Sequence, residues 1–100
     1  MRVIVIKNIN TVAGKTGKTR QALLSWYHEV KNATWSAPKQ ISNQYTEVLL
    51  VSGIRAVFPI YGNSYQVVAD INYPLQLVQI IWIGTTKSFE AIDVKKISYA

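Results

Sequence analysis

The chain has 100 residues, 49% of them apolar and 16% charged, which is enough apolar mass to close one core but not two, so residues 1–100 are expected to form a single domain. The absence of cysteine excludes disulfides and zinc–thiolate sites, and no apolar run nears the roughly 18 residues of a membrane span, so a cytoplasmic protein with no membrane partner is expected. The net charge of +6 lies wholly in residues 1–39, where seven lysines and arginines face Glu29 alone, while residues 40–100 hold four charges of each sign; such a basic face attracts polyanions, RNA first among them, although a surface built for solubility looks the same.

Arg2 to Ile6 is a β-branched run and predicts a strand, buried on both faces or paired centrally. Asn8 to Thr19 contains Gly14 and Gly17, is rich in lysine and lacks a period, so it reads as a loop or a frayed short helix. From Thr19, a candidate N-cap, the pattern becomes helical, with Ala22, Leu23, Trp26, Tyr27 and Val30 on one stripe. Arg20 and Lys31 fall about 20° apart on this helix, either as a solvated flank or as a grip on two phosphates. His28 points away from the stripe and reads as a surface residue.

Pro38 suits the first position of a second short helix that reaches about Tyr45. Three strand-like runs follow, Ile54–Tyr61, Tyr65–Tyr73 and Leu77–Gly84, broken by short turns around Gly62 and Pro74. Such short connections force an antiparallel meander. In the middle run Tyr65, Val67, Ala69, Ile71 and Tyr73 share a core face, leaving Gln66, Val68, Asp70 and Asn72 on a face expected to be partly wet. With an amphipathic turn over Thr86–Ile92, the expected architecture is α+β, with the N-terminal helices on one face of an antiparallel sheet.

Gly14-Lys15-Thr16-Gly17-Lys18-Thr19 repeats a Gly-Lys-Thr unit, but a phosphate loop needs a glycine five positions earlier, where Ile9 and Val12 stand. Asp70, Glu90 and Asp93 are too scattered to form a metal cluster, so neither metal nor cofactor is expected. Aromatic rings beside a basic surface suit single-stranded nucleic acid, because cations hold the backbone while rings stack on bases. Tyr45 is one such ring; Trp35 and Tyr61 read equally as stacking rings or as core, and Tyr65 as core.

The stretch from Arg55 to Tyr73 with its Gly62-Asn63-Ser64-Tyr65 turn, followed by Ile81 to Asp93 with Gly84-Thr85, resembles the HigB family of bacterial toxins, and the likeness extends upstream through Leu24 to Trp35. The resemblance implies a RelE-like fold and a cytoplasmic mRNA interferase that cleaves messages in the ribosome. It also implies a helix-turn-helix, HigA-like antitoxin as partner, beside mRNA and the ribosome. Family members usually carry Tyr-Arg after the Gly-Asn turn, an arginine in the last strand, and Gly-Thr-His followed by Glu-Tyr-Asp. Here those positions hold Gln66, Trp82, Thr86 and Glu90-Ala91, with Phe89 where a tyrosine is common.

Metal-free RNA cleavage requires a base for the 2′-hydroxyl, an acid for the leaving oxygen and a cation on the developing charge. Arg55 supplies only a cation, since guanidinium stays protonated. Lys87 is the candidate acid or second cation, and Glu90 the candidate base. Lys15, Lys18, Arg20, Lys31 and Asn63 complete the expected RNA-binding set. A family member that binds RNA or antitoxin without cutting is the alternative, given the lost polar groups.

Overall fold

A computed structural model describes residues 1–5 and 17–97. In chain order the elements are β1 (Arg2–Val5), α1 (Gly17–Lys31), α2 (Pro38–Gln44), β2 (Leu49–Leu50), β3 (Arg55–Ile60), β4 (Tyr65–Asn72), β5 (Leu77–Thr85) and α3 (Thr86–Phe89). The five strands form one sheet in the order β1-β5-β4-β3-β2. β3, β4 and β5 make the expected antiparallel meander, and β1 pairs with β5 in parallel. The fold is therefore α+β.

The first strand occupies an edge rather than the centre, because the two flanks of β4 are already taken by its hairpin partners. Ile6 and the segment 8–16 lie outside the described residues. Thr19 is not a cap: α1 begins at Gly17, and Thr19 is buried. With Leu23, Trp26 and Val30 it completes a stripe at spacings of four, three and four residues, the repeat that keeps one helix face on a core. His28 is exposed, opposite that stripe. The Met1 ammonium donates to the carbonyls of Lys31, the last residue of α1, at 2.8 Å and of Ala33, just beyond it, at 2.6 Å.

Both α1 and α2 pack on one sheet face, and Phe58 is the centre of that core. Its ring lies 5.2 Å from Trp26, 6.1 Å from Trp35 in a near-parallel stack and 5.3 Å from Tyr45 edge-on. Trp35 is thus a core residue, only 3% exposed, and its indole N–H donates to Gln44 Oε1 at 3.0 Å. Tyr65 also packs on this core. Pro38 opens α2 as expected, and the two-residue β2 had no alternation by which to be read.

The Tyr45 hydroxyl donates to Glu29 Oε1 at 2.7 Å. Burial, reinforced by this hydrogen bond to a carboxylate, pushes the Tyr45 phenol well above the usual tyrosine range. The unfolded chain then releases that proton first as pH rises past about 10, so the Tyr45 contribution is intact below that pH and is lost above it. Urea titrations between pH 8 and 11 should show stability falling at the alkaline end, with a shallower fall for Tyr45→Phe. Equal slopes for the two chains would remove this linkage.

The second sheet face is wet only at its Asn72 end. Gln66, Val68 and Asp70 are all buried, because the chain after β5 folds back over them. Val57, Val68 and Ile81 form a second small core, closed by Val51, Trp82, Phe89, Val94 and Ile97. A register shift opposite Val68 and Ala69 makes this possible. It inserts an extra residue, Ile81, into β5, so that Ile81 and Trp82 both turn to this face while Ile80 and Ile83 stay in the helix-side core.

Candidate functional site

At one end of the sheet the turn of residues 61–64, which joins β3 to β4, meets the start of α3. The Thr86 backbone N–H donates to the Ser64 carbonyl at 3.0 Å, and the Thr86 hydroxyl donates to the Asn63 carbonyl. Beneath them Gln66, 7% exposed, donates from Nε2 to Asn63 Oδ1 at 2.8 Å and to Thr86 Oγ1 at 3.0 Å. One buried amide thus satisfies both of its donors and ties turn to helix. The Thr85 hydroxyl accepts from the Ser88 N–H at 3.1 Å, capping α3.

The Trp82 indole lies beside this network and folds over Gly84. A Cβ at Gly84 would fall 2.6 Å from two of its ring carbons, so the absence of a side chain there is what admits the ring. Phe89 closes against the same indole, with ring centres 6.0 Å apart. The departures from the family pattern noted above therefore form two contacting pairs. Gln66 hydrogen-bonds Thr86, and Trp82 packs on Phe89. Where the pattern has charged or titratable groups, this chain has a neutral amide–hydroxyl pair and an apolar one.

Lys87 and Glu90 are both exposed, one on α3 and one immediately after it. Asn63 is exposed in the facing turn, and beside it Tyr61 is 45% exposed. These residues form a polar lip at one corner of the molecule.

Arg55 does not belong to that lip. It pairs with Asp70 across β3 and β4, whereas the turn flanks Tyr65, five strand residues or about 17 Å away. Its Nε and Nη2 donate to the two Asp70 carboxylate oxygens at 2.7 and 2.8 Å, and Nη1 donates to the carbonyls of Val94 at 3.0 Å and Ile97 at 2.7 Å. This side chain, 12% exposed, anchors the returning C-terminal segment to the sheet. The partner was readable in principle, since a hairpin closed by Ile60 and Tyr65 sets residue 70 opposite 55. What hid it was the expectation that residue 70 faces water.

Lys18, Arg20 and Lys31 are exposed on α1. They sit in the helix layer, across the sheet from the second core and α3. Lys18 stands about 140° round the helix from Lys31, so the three do not share one flank. Lys15 lies outside the described residues. No group of three or more His, Asp or Glu is placed to hold a metal ion among the described residues, nor is any described helix long and apolar enough to cross a membrane.

Sequence reasoning marked Gln66 and Thr86 only as missing charges. The opposition of Gln66 to Gly84 in the β4–β5 register is what turns them into a joint.

No curated protein matches this chain. A family model for the HigB toxins, described as the RelE-like toxic component of a toxin–antitoxin system, matches residues 19–92. The matched stretch runs from α1 through the whole meander and past α3, and so includes the lip. With most of its length matched and a sheet consistent with the RelE-like fold, the chain belongs to the HigB family of RelE-like toxins, whose counterpart is an antitoxin.

Proposed function

We propose that this toxin stops translation by acting on mRNA at the ribosome, cutting it with Lys87 and Glu90, and that a helix-turn-helix, HigA-like antitoxin restrains it in the cytoplasm. The observation that carries the reading is the exposed pair Lys87 and Glu90, within four residues of each other, beside a turn that a buried amide holds in place. In the reaction Glu90 takes the proton of a ribose 2′-hydroxyl, the 2′-oxygen forms a bond to the adjacent phosphorus, and the 5′-oxygen leaves with a proton from Lys87. The ammonium also neutralises charge on the phosphoryl oxygens as they become more negative. The products are a 2′,3′-cyclic phosphate and a free 5′-hydroxyl. Strain imposed on the message by the ribosome supplies alignment that so small a set does not.

A second reading, RNA binding without cutting, is favoured by the neutral Gln66–Thr86 pair and the apolar Trp82–Phe89 pair. Inducible expression in bacteria, with growth followed and the 5′ ends of translated messages mapped, separates the two. Cutting should give growth arrest with new 5′ ends inside reading frames. Lys87→Ala should lower cleavage by about 100-fold or more, with the melting temperature unchanged because the side chain is exposed. Arrest without new ends would assign the second reading. Normal growth with no new ends would sink the nuclease reading.

A further inference from the structure

Tyr61 is held in a left-handed backbone conformation, with φ of 55°, immediately before Gly62 at φ of 67°. Glycine adopts this region freely, but a residue with a bulky side chain is strained there and persists only where its surroundings impose it. A tyrosine in such a position, when an asparagine or glycine relieves the strain, calls for a reason. Core packing does not supply one, since the ring is 45% exposed at the tip of a turn. The turn is also rigidly mounted. Gln66 and Thr86 tie Asn63 and Ser64 to α3, so the turn that carries the ring is fixed against the helix that carries the exposed cation Lys87, one residue after Thr86.

An exposed ring and an exposed ammonium on two segments tied to each other match the way single-stranded nucleic acid is held, the ring under a base and the cation on a phosphate. The charges around the tip give the strand a direction. Glu47 borders a hollow of about 250 Å³ together with Tyr45, Pro59 and Gly62, and its carboxylate repels phosphate, whereas Lys87, on the helix tied to the turn, attracts it. The sugar–phosphate backbone is thus drawn to the α3 side, with the base laid over the turn.

We infer that Tyr61 is the base-stacking ring of a single-stranded RNA site formed by the 61–64 turn and Lys87. This rests on the reading that the toxin acts on RNA, and adds the form of RNA and the residue that holds it. Stacking on one ring is worth roughly 5- to 100-fold in affinity.

The test is fluorescence anisotropy of the purified chain with a labelled ten-nucleotide single-stranded RNA, with a duplex of the same length as control, alongside thermal melts. Tyr61→Phe should bind within about 2-fold of the original chain, since the face of the ring is kept. Tyr61→Asn should bind about 5- to 100-fold more weakly while melting at the same temperature or higher, because asparagine tolerates the left-handed region. Weaker binding with undiminished stability supports the site, since a ring present only for packing would lower stability as well. If the original chain binds the single strand and Tyr61→Asn binds it equally, the stacking role is overturned and the RNA reading survives. A Tyr61→Asn chain that melts several degrees lower also overturns it, by making the ring a packing element. If the original chain binds no RNA, the site fails together with the reading on which it rests.

Discussion

Replacing Arg55 with alanine is expected to destabilise the fold by about 3–5 kcal/mol, because it takes the two-pronged cation away from a carboxylate in a nearly dry site. The loss has two parts. The bidentate pair at 2.7 and 2.8 Å disappears, and the carbonyls of Val94 and Ile97 lose the donor that holds the C-terminal segment over the second core. For a chain of this size the melting temperature should fall by on the order of 15 °C. Arg55→Ala combined with Asp70→Ala should recover part of that loss, since the buried carboxylate goes with its cation, and the recovery measures the coupling between the two. Lysine at 55 should not rescue, because a point ammonium cannot reproduce the two-pronged contact. A melting temperature within a degree or two of the original would remove Arg55 from the framework and leave it available to RNA. The consequence for function is direct: loss of toxicity in an Arg55 variant says nothing about catalysis until its folded fraction is known.

Phe58→Ala is expected to cost a further 3–5 kcal/mol by a different route, that of an unfilled cavity. Phe58 is 1% exposed, and its ring is the common neighbour of Trp26, Trp35 and Tyr45, so one truncation removes three aromatic contacts and leaves rings that cannot collapse into the gap without moving α1 or α2. Phe58→Leu keeps most of the volume and should cost about 1–2 kcal/mol. Chemical denaturation measures both, and tryptophan emission reports the same event independently because Trp26 and Trp35 border the cavity. A loss below about 1 kcal/mol for the alanine variant would show that the helices slide to fill the space and that this centre does not set their position. RNA binding by the folded fraction should be unchanged, since the ring lies beneath the helices and not at the lip.

Local signals in the sequence were enough for the meander. Each of its three strands has a period of two or a β-branched run, and the turns around Gly62 and Pro74 are too short to allow anything but antiparallel pairing. The stripe of α1 and the proline start of α2 were legible for the same reason, since both depend on residues within a few positions of each other. Exposure of Lys18, Arg20, Lys31, Lys87 and Glu90 was legible too, because long charged side chains seldom lose their water without a partner.

Tertiary structure decided which of those charges and rings could meet. Whether the far face of β4 is wet depends on where residues 86–97 travel, and an amphipathic turn followed by a few apolar side chains does not announce that it folds back over Gln66, Val68 and Asp70. That covering converts Arg55 from a candidate phosphate contact into a buried tie, and places the α1 cations and the α3 lip on opposite sides of the sheet. The bulge at Ile81 had the same non-local origin, since an inserted residue shows only against the register of the neighbouring strand. By itself, then, the sequence determined all the elements but the two-residue β2, their order and the surplus of positive charge, all properties of neighbours along the chain. Which polar groups are sealed and which face solvent at the lip was settled only when distant segments packed, because burial is a property of the whole surface and not of any one stretch.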